Sequence, residues 1–198
     1  MKIEWEAPRP RRGFAGVVDR VLGPGATPAE LMLQLTFPLI AAIAAPIYAY
    51  QVTRDWSLLQ YAVSALLAFD IVGGVVTNST SCAKRWYHRP RQGLRKHLQF
   101  IFIHFIHLFM FSWLYLPLRI DWFFVFAGLL IGSALLILLV SQYLQRPIAL
   151  ITYSVALLLS LYALPQPVGM EWFLPLFYLK LLVAHLPKEE PYRPDTLV

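Results

Sequence analysis

Cysteine and charged residues are scarce in this sequence of 198 residues. Its one cysteine, Cys82, excludes an internal disulfide and any metal site built from several thiolates. Only 14% of the residues are charged, whereas 58% are hydrophobic and the mean hydropathy is +0.57. Soluble domains have an apolar share of roughly 45–50%. The composition therefore predicts an integral membrane protein rather than a soluble domain.

Several enzyme motifs are also missing. The chain has no HExxH, GxSxG or Walker sequence, and its five histidines are too few for the histidine boxes of a membrane di-iron desaturase. The first 27 residues show no signal-peptide pattern, because the first long apolar run begins only near Leu31. No motif identifies a family, a substrate or a reaction.

Long apolar runs predict the architecture. A helix that crosses a hydrocarbon layer of about 30 Å needs roughly 20 residues. We predict an all-α bundle of six transmembrane helices in one domain, 28–186, with spans at about 28–50, 56–77, 96–116, 121–143, 147–164 and 169–186. A short amphipathic helix on the membrane surface is expected within segment 1–27, and the tail 187–198 is expected to be disordered.

Basic residues are concentrated in alternate loops. Five precede the first span, six lie between the second and third, and three follow the fourth and sixth, whereas the opposite loops hold two. The positive-inside rule then predicts that both termini are cytoplasmic, in a plasma or bacterial inner membrane. The net charge of +6 follows the membrane topology, so we expect lipids as partners and no nucleic acid.

Two adjoining spans each have a single polar face. The third span carries three histidines, His97, His104 and His107, within an arc of about 80°. The second carries small and polar residues at helical spacing: Asp70, Gly73, Gly74, Thr77, Asn78 and Ser81. Asp70, His104 and Lys180 lie at a similar depth, about 9–12 Å from the cytoplasmic end. Because a charge is costly in hydrocarbon, Asp70 should face the bundle interior and find a partner.

The first functional interpretation is a metal-dependent enzyme that acts on a lipid or another amphiphile. Imidazoles three residues apart can ligate one ion, and a bound divalent metal, preferably zinc, would activate water. The predicted metal ligands are His97, His104, His107 and Asp70, and the predicted catalytic set is Asp70, Asn78, His104, His107 and Lys180. Five basic residues of the loop between spans two and three would bind an anionic headgroup: Lys84, Arg85, Arg89, Arg91 and Arg95.

Other interpretations stay open. The same residues suit a small transporter or proton-coupled channel. Alternatively, Asp70 pairs with Lys180 or a histidine for stability alone, in a membrane assembly protein without chemistry. Haem, with His97 and His185 as axial ligands, is disfavoured because nothing else in the sequence indicates electron transfer. A GxxxG spacing in span four, Gly128 to Gly132, indicates internal helix packing in the favoured interpretation and a homodimer contact in the other.

Overall fold

The computed structural model describes residues 1–194 and is almost entirely helical, which confirms the predicted all-α class. The helices are α1 (Gly13–Leu22), α2 (Pro28–Val52), α3 (Leu58–Ser79), α4 (Ser81–Tyr87), α5 (Leu94–Ile103), α6 (Phe105–Tyr115), α7 (Ile120–Leu139), α8 (Gln142–Leu158) and α9 (Phe173–Tyr178). Two of them continue as π-helix, α8 through Leu159–Ala163 and α9 through Leu179–His185. Two short strands, β1 (Lys2–Ile3) and β2 (Tyr192–Arg193), pair antiparallel.

Five helical segments are long and apolar enough to cross a membrane. They are Pro28–Val52, Leu58–Ser79, Leu94–Tyr115, Ile120–Leu139 and Gln142–Ala163. The sixth predicted span contains a shorter apolar helix, Phe173–His185. At 1.5 Å per residue this helix rises about 20 Å, which is less than the hydrocarbon thickness of about 30 Å. The length and composition of these five helices are therefore those of a membrane protein.

Local sequence fixes where α2 and α3 begin. The Thr27 hydroxyl accepts from the backbone of Glu30 at 3.2 Å, and the Glu30 carboxylate accepts from the Thr27 backbone at 2.8 Å. Ser57 and Gln60 repeat this capping box at the start of α3. The other Glu30 oxygen accepts from the backbone N–H of Cys82 at 3.0 Å. One carboxylate therefore joins the start of α2 to the first turn of α4.

Two glycines let α3 approach a neighbour on either side. A Cβ at Gly73 would lie 3.2 Å from Cγ of Pro38 in α2. A Cβ at Gly74 would lie 2.2 Å from Cε of Lys180, an impossible contact. The absence of a side chain at Gly74 is therefore what allows the Lys180 stem to lie along α3.

One end of the bundle holds α1, α4 and both chain ends, and we call it the basic end. Trp86 donates to the carbonyl of Arg20 at 3.0 Å, and the Tyr87 hydroxyl donates to the carbonyl of Val21 at 2.9 Å. These bonds satisfy carbonyls at the C-terminus of α1 and hold that helix against α4. The apolar residues Phe14 and Val17 of α1 remain exposed, as an amphipathic surface helix requires.

The expected disorder of the tail is wrong for its first part. Tyr192–Arg193 pairs with Lys2–Ile3, and the Arg193 guanidinium donates to Glu4 at 3.0 Å. Proline and charge favour disorder only when nothing compensates the ordering entropy, and here the N-terminal strand supplies backbone and ionic partners. Residues 195–198 of the predicted tail lie outside the described residues.

The GxxxG face of α7 is open. A Cβ built at Gly128 or Gly132 would meet no atom within 4 Å in the part of the chain that the structure describes. The favoured interpretation of this spacing as internal packing is therefore wrong, and the homodimer contact stays a prediction.

Candidate functional site

The centre of the site is a carboxylate shared by two basic groups. Oδ2 of Asp70 on α3 lies 2.5 Å from Nζ of Lys180 and 2.9 Å from Nε2 of His107 on α6. The Lys180 side chain is only 3% exposed, whereas that of Asp70 is 46% exposed. Asp70 thus has the partners that the sequence predicts, but it lies at the edge of the bundle rather than in its interior. We call Asp70, His107 and Lys180 the triad.

The π-helix at the end of α9 places Lys180. Residues five apart in an α-helix point about 140° away from each other, whereas the i→i+5 bonding of a π-helix aligns them. Lys180 and His185 are five apart within Leu179–His185, and both contact the same face of α3: Lys180 meets Asp70, and His185 meets Asn78. An irregular helix therefore brings two ionisable groups onto one side.

A tight turn between α5 and α6 places the histidines of the third span. The backbone N–H of His104 bonds to Ile101 at 3.1 Å, and that of His107 bonds to His104 at 3.0 Å, so both bonds span three residues instead of four. Nδ1 of His104 donates to the Phe100 carbonyl at 2.7 Å. The His104 and His107 rings stack, with centroids 5.0 Å apart and an angle of 15° between planes.

Nδ1 of His107 is buried and has no hydrogen-bond partner among the described residues. With Nε2 donating to Asp70, a neutral ring leaves Nδ1 as an unused acceptor. A buried polar atom without a partner is costly, and such atoms are often found at functional sites. The triad therefore contains one imidazole nitrogen that is free to take a proton.

The predicted metal ligands are not gathered into one ligand set in this structure, and a metal site stays a prediction. Within residues 1–194 no group of three or more His, Cys, Asp or Glu side chains is arranged to hold a metal ion. One Asp70 oxygen pairs with the Lys180 ammonium, whose charge repels a nearby cation, and the His104 and His107 rings are stacked with only 15° between their planes, so their nitrogens do not converge on one point. His97, the fourth predicted ligand, belongs to a different cluster.

That second cluster lies nearer the basic end. Nδ1 of His97 is 3.2 Å from Nε2 of His185, and Nδ1 of His185 is 3.3 Å from Oδ1 of Asn78. Because the Asn78 oxygen only accepts, His185 donates through Nδ1 and accepts from His97 through Nε2. Nε2 of His88 donates to the His185 carbonyl at 3.0 Å, and the His88 and His97 rings lie 4.8 Å apart. Asn78 therefore orients a histidine pair and does not contact the triad.

His88 lies outside the long apolar helices and is shielded from solvent. Its burial, together with the nearby His97 and Lys84, lowers the pKa of His88 from its usual value to about 3. His88 stands alone in the loop before α5, and no periodic pattern in the sequence includes it. The sequence indicates His185 only as a haem ligand, and nothing in it predicts the contact with His97.

Two of the five predicted headgroup residues are buried, and one of them, Lys84, is already paired. Lys84 donates to the carbonyls of Ala184 and Pro187 at 2.7 and 2.9 Å and lies 3.2 Å from Glu189, so it caps the C-terminus of the last helix. Burial lowers the pKa of Lys84. Arg85 is also buried in α4. The sequence shows their charge but not that α4 turns them inward.

The other three basic residues are at the surface. Arg91 and Arg95 are exposed, and the Arg89 guanidinium lies over the Trp86 ring, 3.5 Å from its centroid. A pocket of about 250 Å³ opens beside Arg89. Its walls are Trp86, Tyr87, Arg89, Gln92, Lys96, His97, Gln99, Phe100, Ile103 and His185. We call it the basic pocket, and it adds Lys96 to the candidate residues.

Comparison of the chain with protein-family models, with curated proteins and with solved structures finds no significant match.

Proposed function

We propose that the protein is a six-span protein of a plasma or bacterial inner membrane that takes an amphiphile from the lipid phase and acts on its polar group by acid–base chemistry. The triad of Asp70, His107 and Lys180 is the reacting site. This keeps the amphiphilic substrate of the sequence-based hypothesis and replaces the metal by side-chain proton transfer.

The position of Asp70 carries the proposal. Its side chain is 46% exposed on the flank of α3, and Leu66, one turn earlier on the same face, is 67% exposed. Both side chains are therefore open to the acyl region in a bilayer. Oδ1 of Asp70 receives no hydrogen bond from the residues that the structure describes, so it is available to a donor that arrives from the side. A carboxylate in such a place costs free energy, and charged residues within membrane spans commonly mark functional sites.

Each member of the triad has a separate role. Oδ1 of Asp70 accepts a hydrogen bond from a hydroxyl or amine of the amphiphile. Lys180 supplies the positive charge that stabilises the carboxylate, and Gly74 leaves room for its stem. His107 donates from Nε2 to the other carboxylate oxygen and has Nδ1 unpartnered, so it takes the proton that the hydroxyl or amine of the amphiphile gives up, while Asp70 stabilises the imidazolium.

The pairing of β1 with β2 supports six crossings. These strands lie before the first long helix and after the last helix, and their contact puts both chain ends on one side. An odd number of crossings would separate them. The shorter helix Phe173–His185 is then the sixth span, and the excess of basic residues at this end supports cytoplasmic termini.

Two pairs of histidines, His97 with His185 and His104 with His107, are joined by one phenylalanine ring and favour proton-coupled transport as the second candidate. His97 contacts His185 at a centroid distance of 5.2 Å, His185 stacks on Phe100 at 3.9 Å, and Phe100 contacts His104 at 4.4 Å. Imidazoles carry protons, but the Phe100 ring does not, and it interrupts the series. Protein in vesicles that acidifies the lumen only in the presence of a solute would favour this candidate.

The test is recovery of the amphiphile with the protein. Wild-type protein purified in nanodiscs made from native membranes should retain one enriched amphiphile, identified by mass spectrometry. Asp70→Asn removes the charge from the flank and should lower this enrichment about tenfold, the effect of losing one charged hydrogen bond. ¹⁵N spectra of labelled histidine should show Nδ1 of His107 unprotonated without the amphiphile and hydrogen-bonded with it.

Glu171→Gln is the matched control. Glu171 accepts from the Tyr48 hydroxyl at 3.3 Å in a separate apolar cleft lined by Ala41 and Ala45. This change also removes one carboxylate, and it should leave the enrichment as in the wild type. Equal retention by wild type and Asp70→Asn, in a folded protein, would refute the proposed function.

A further inference from the structure

The basic pocket is electrostatically one-sided. Its walls include the guanidinium of Arg89 and the ammonium of Lys96 and no carboxylate. The amide orientation that satisfies Gln92 places its oxygen 2.6 Å from a guanidinium nitrogen of Arg89, so the Gln92 NH₂ group is left as a donor. Two cations and an amide donor around one opening favour an anion.

Arg89 is held in place rather than free to move. Its guanidinium stacks on Trp86 and also donates to the Trp86 carbonyl. Trp86 is in turn fixed by its bond to the Arg20 carbonyl at 3.0 Å. A fixed guanidinium loses little side-chain entropy when it binds a phosphate in a bidentate manner. The Lys96 side chain is exposed and makes no hydrogen bond or ion pair within residues 1–194, so its ammonium is available.

The pocket changes from polar to apolar along α5. Lys96 and His97 lie in the first turn of the helix, Gln99 and Phe100 follow, and Ile103 lies about 10 Å further along at 1.5 Å per residue. A free phosphate ion would make no favourable contact with the apolar part of the pocket. A lipid places its phosphate at the polar end and its chains beside Ile103, which is 68% exposed.

The pocket also leads toward the triad. Phe100 lines the pocket, and its carbonyl accepts from His104, whose ring stacks on His107 of the triad. We propose that the basic pocket binds the phosphate group of an anionic phospholipid or lipid phosphate through Arg89 and Lys96, with the chains extending along α5. This inference rests on the proposed function, since it names the headgroup class of the amphiphile whose polar group reaches Asp70.

The experiment uses the full chain in nanodiscs of phosphatidylcholine with a minor fraction of phosphatidylglycerol, and native mass spectrometry counts the phosphatidylglycerol molecules retained. Lys96→Gln should lower retention about tenfold, because one charged contact to phosphate is lost. Arg95→Gln is the matched control: it removes the same charge from the next residue, which does not line the pocket, and should change retention less than about twofold. Equal losses in both variants, or none in either, would overturn the inference.

Two further arms separate the possible sources and the two proposals. Inorganic phosphate should not displace phosphatidylglycerol, and displacement at millimolar phosphate would overturn the lipid assignment. Glu171→Gln, in the separate cleft beside Tyr48, should keep full phosphatidylglycerol retention, because it lies outside the pocket. If Lys96→Gln loses the lipid while Asp70→Asn keeps the native amphiphile, the pocket stands and the proposed function fails. If Lys96→Gln keeps the lipid and Asp70→Asn loses the amphiphile, the pocket fails alone.

Discussion

A double-mutant cycle on Asp70 and Lys180 tests the contact on which the site depends. Asp70→Leu removes the charge and the acceptor while suiting the exposed flank, and Lys180→Met keeps most of the lysine stem. Asp70→Leu alone leaves the Lys180 ammonium, whose side chain is 3% exposed, without its partner at 2.5 Å. The double variant removes both charges together.

The expected magnitudes follow from this burial. Breaking a buried ion pair by removing one partner costs about 3–5 kcal/mol of unfolding free energy, and we expect about 3 kcal/mol for Asp70→Leu because the carboxylate is half exposed. The double variant should be less destabilised than the single one, so the two changes should show a coupling of about 2–3 kcal/mol. His107 loses its bond to Asp70 in both the single and the double variant, and this loss cancels in the coupling.

The assay is reversible unfolding in mixed micelles with increasing dodecyl sulfate, followed by circular dichroism. The four free energies of unfolding give the coupling directly. A coupling below about 0.5 kcal/mol would mean that the two charges do not interact, and the reasoning about the triad would then be refuted.

Two further predictions concern the basic end and the open face of α7. Burial lowers the pKa of His88 in the folded protein to about 3, whereas its pKa in the unfolded chain is about 6.5. Between these two pH values the unfolded state binds more protons than the folded state. The free energy of unfolding therefore falls as the pH drops through this window. His88→Gln should reduce the loss of unfolding free energy between about pH 7.5 and pH 5.5 by up to about 1.4 kcal/mol; an unchanged pH profile would show that His88 titrates normally. Gly132→Leu should lower the dimer fraction counted by single-molecule photobleaching, whereas Gly93→Leu, at another glycine with open space, should not; a wild-type protein that is monomeric in the bilayer would contradict the predicted contact.

The sequence was sufficient for most of the architecture. Apolar length located five long helices, and the Thr27 and Glu30 pattern located the start of α2. Depth counting at 1.5 Å per residue also placed Asp70 and Lys180 at one level, where the structure has their ion pair. These features depend on local composition and regular rise, which a sequence states directly.

The details of the site depend on departures from regular helix. At 100° per residue Lys180 and His185 would lie on different faces of a regular α-helix, and only the π-helix aligns them. The same count predicted that His104 and His107 converge with His97, but the turn at His104 separates them from it. No residue pattern in the sequence signals either irregularity.

The burial of two basic residues of the loop could not be predicted from the sequence either. Lys84 and Arg85 have the charge and position expected of headgroup ligands, yet both are buried in α4. The Lys84 ammonium donates hydrogen bonds to carbonyl groups at the C-terminus of the last helix. A basic residue near a membrane helix can set the topology, cap a helix C-terminus or bind a ligand. Only the three-dimensional contacts show which of these roles a given residue has.

The contact between the first and last strands has a temporal consequence. Lys2 and Arg193 are register partners, so the ribosome has made every helix that lies between them before β1 can pair with β2. The helices between the two strands enter the bilayer while β1 is still unpaired. The later pairing with β2 closes a long loop, and the entropic cost of closing a loop grows only slowly with its length. The pairing of β1 with β2 is therefore one of the last contacts to form as the protein is made.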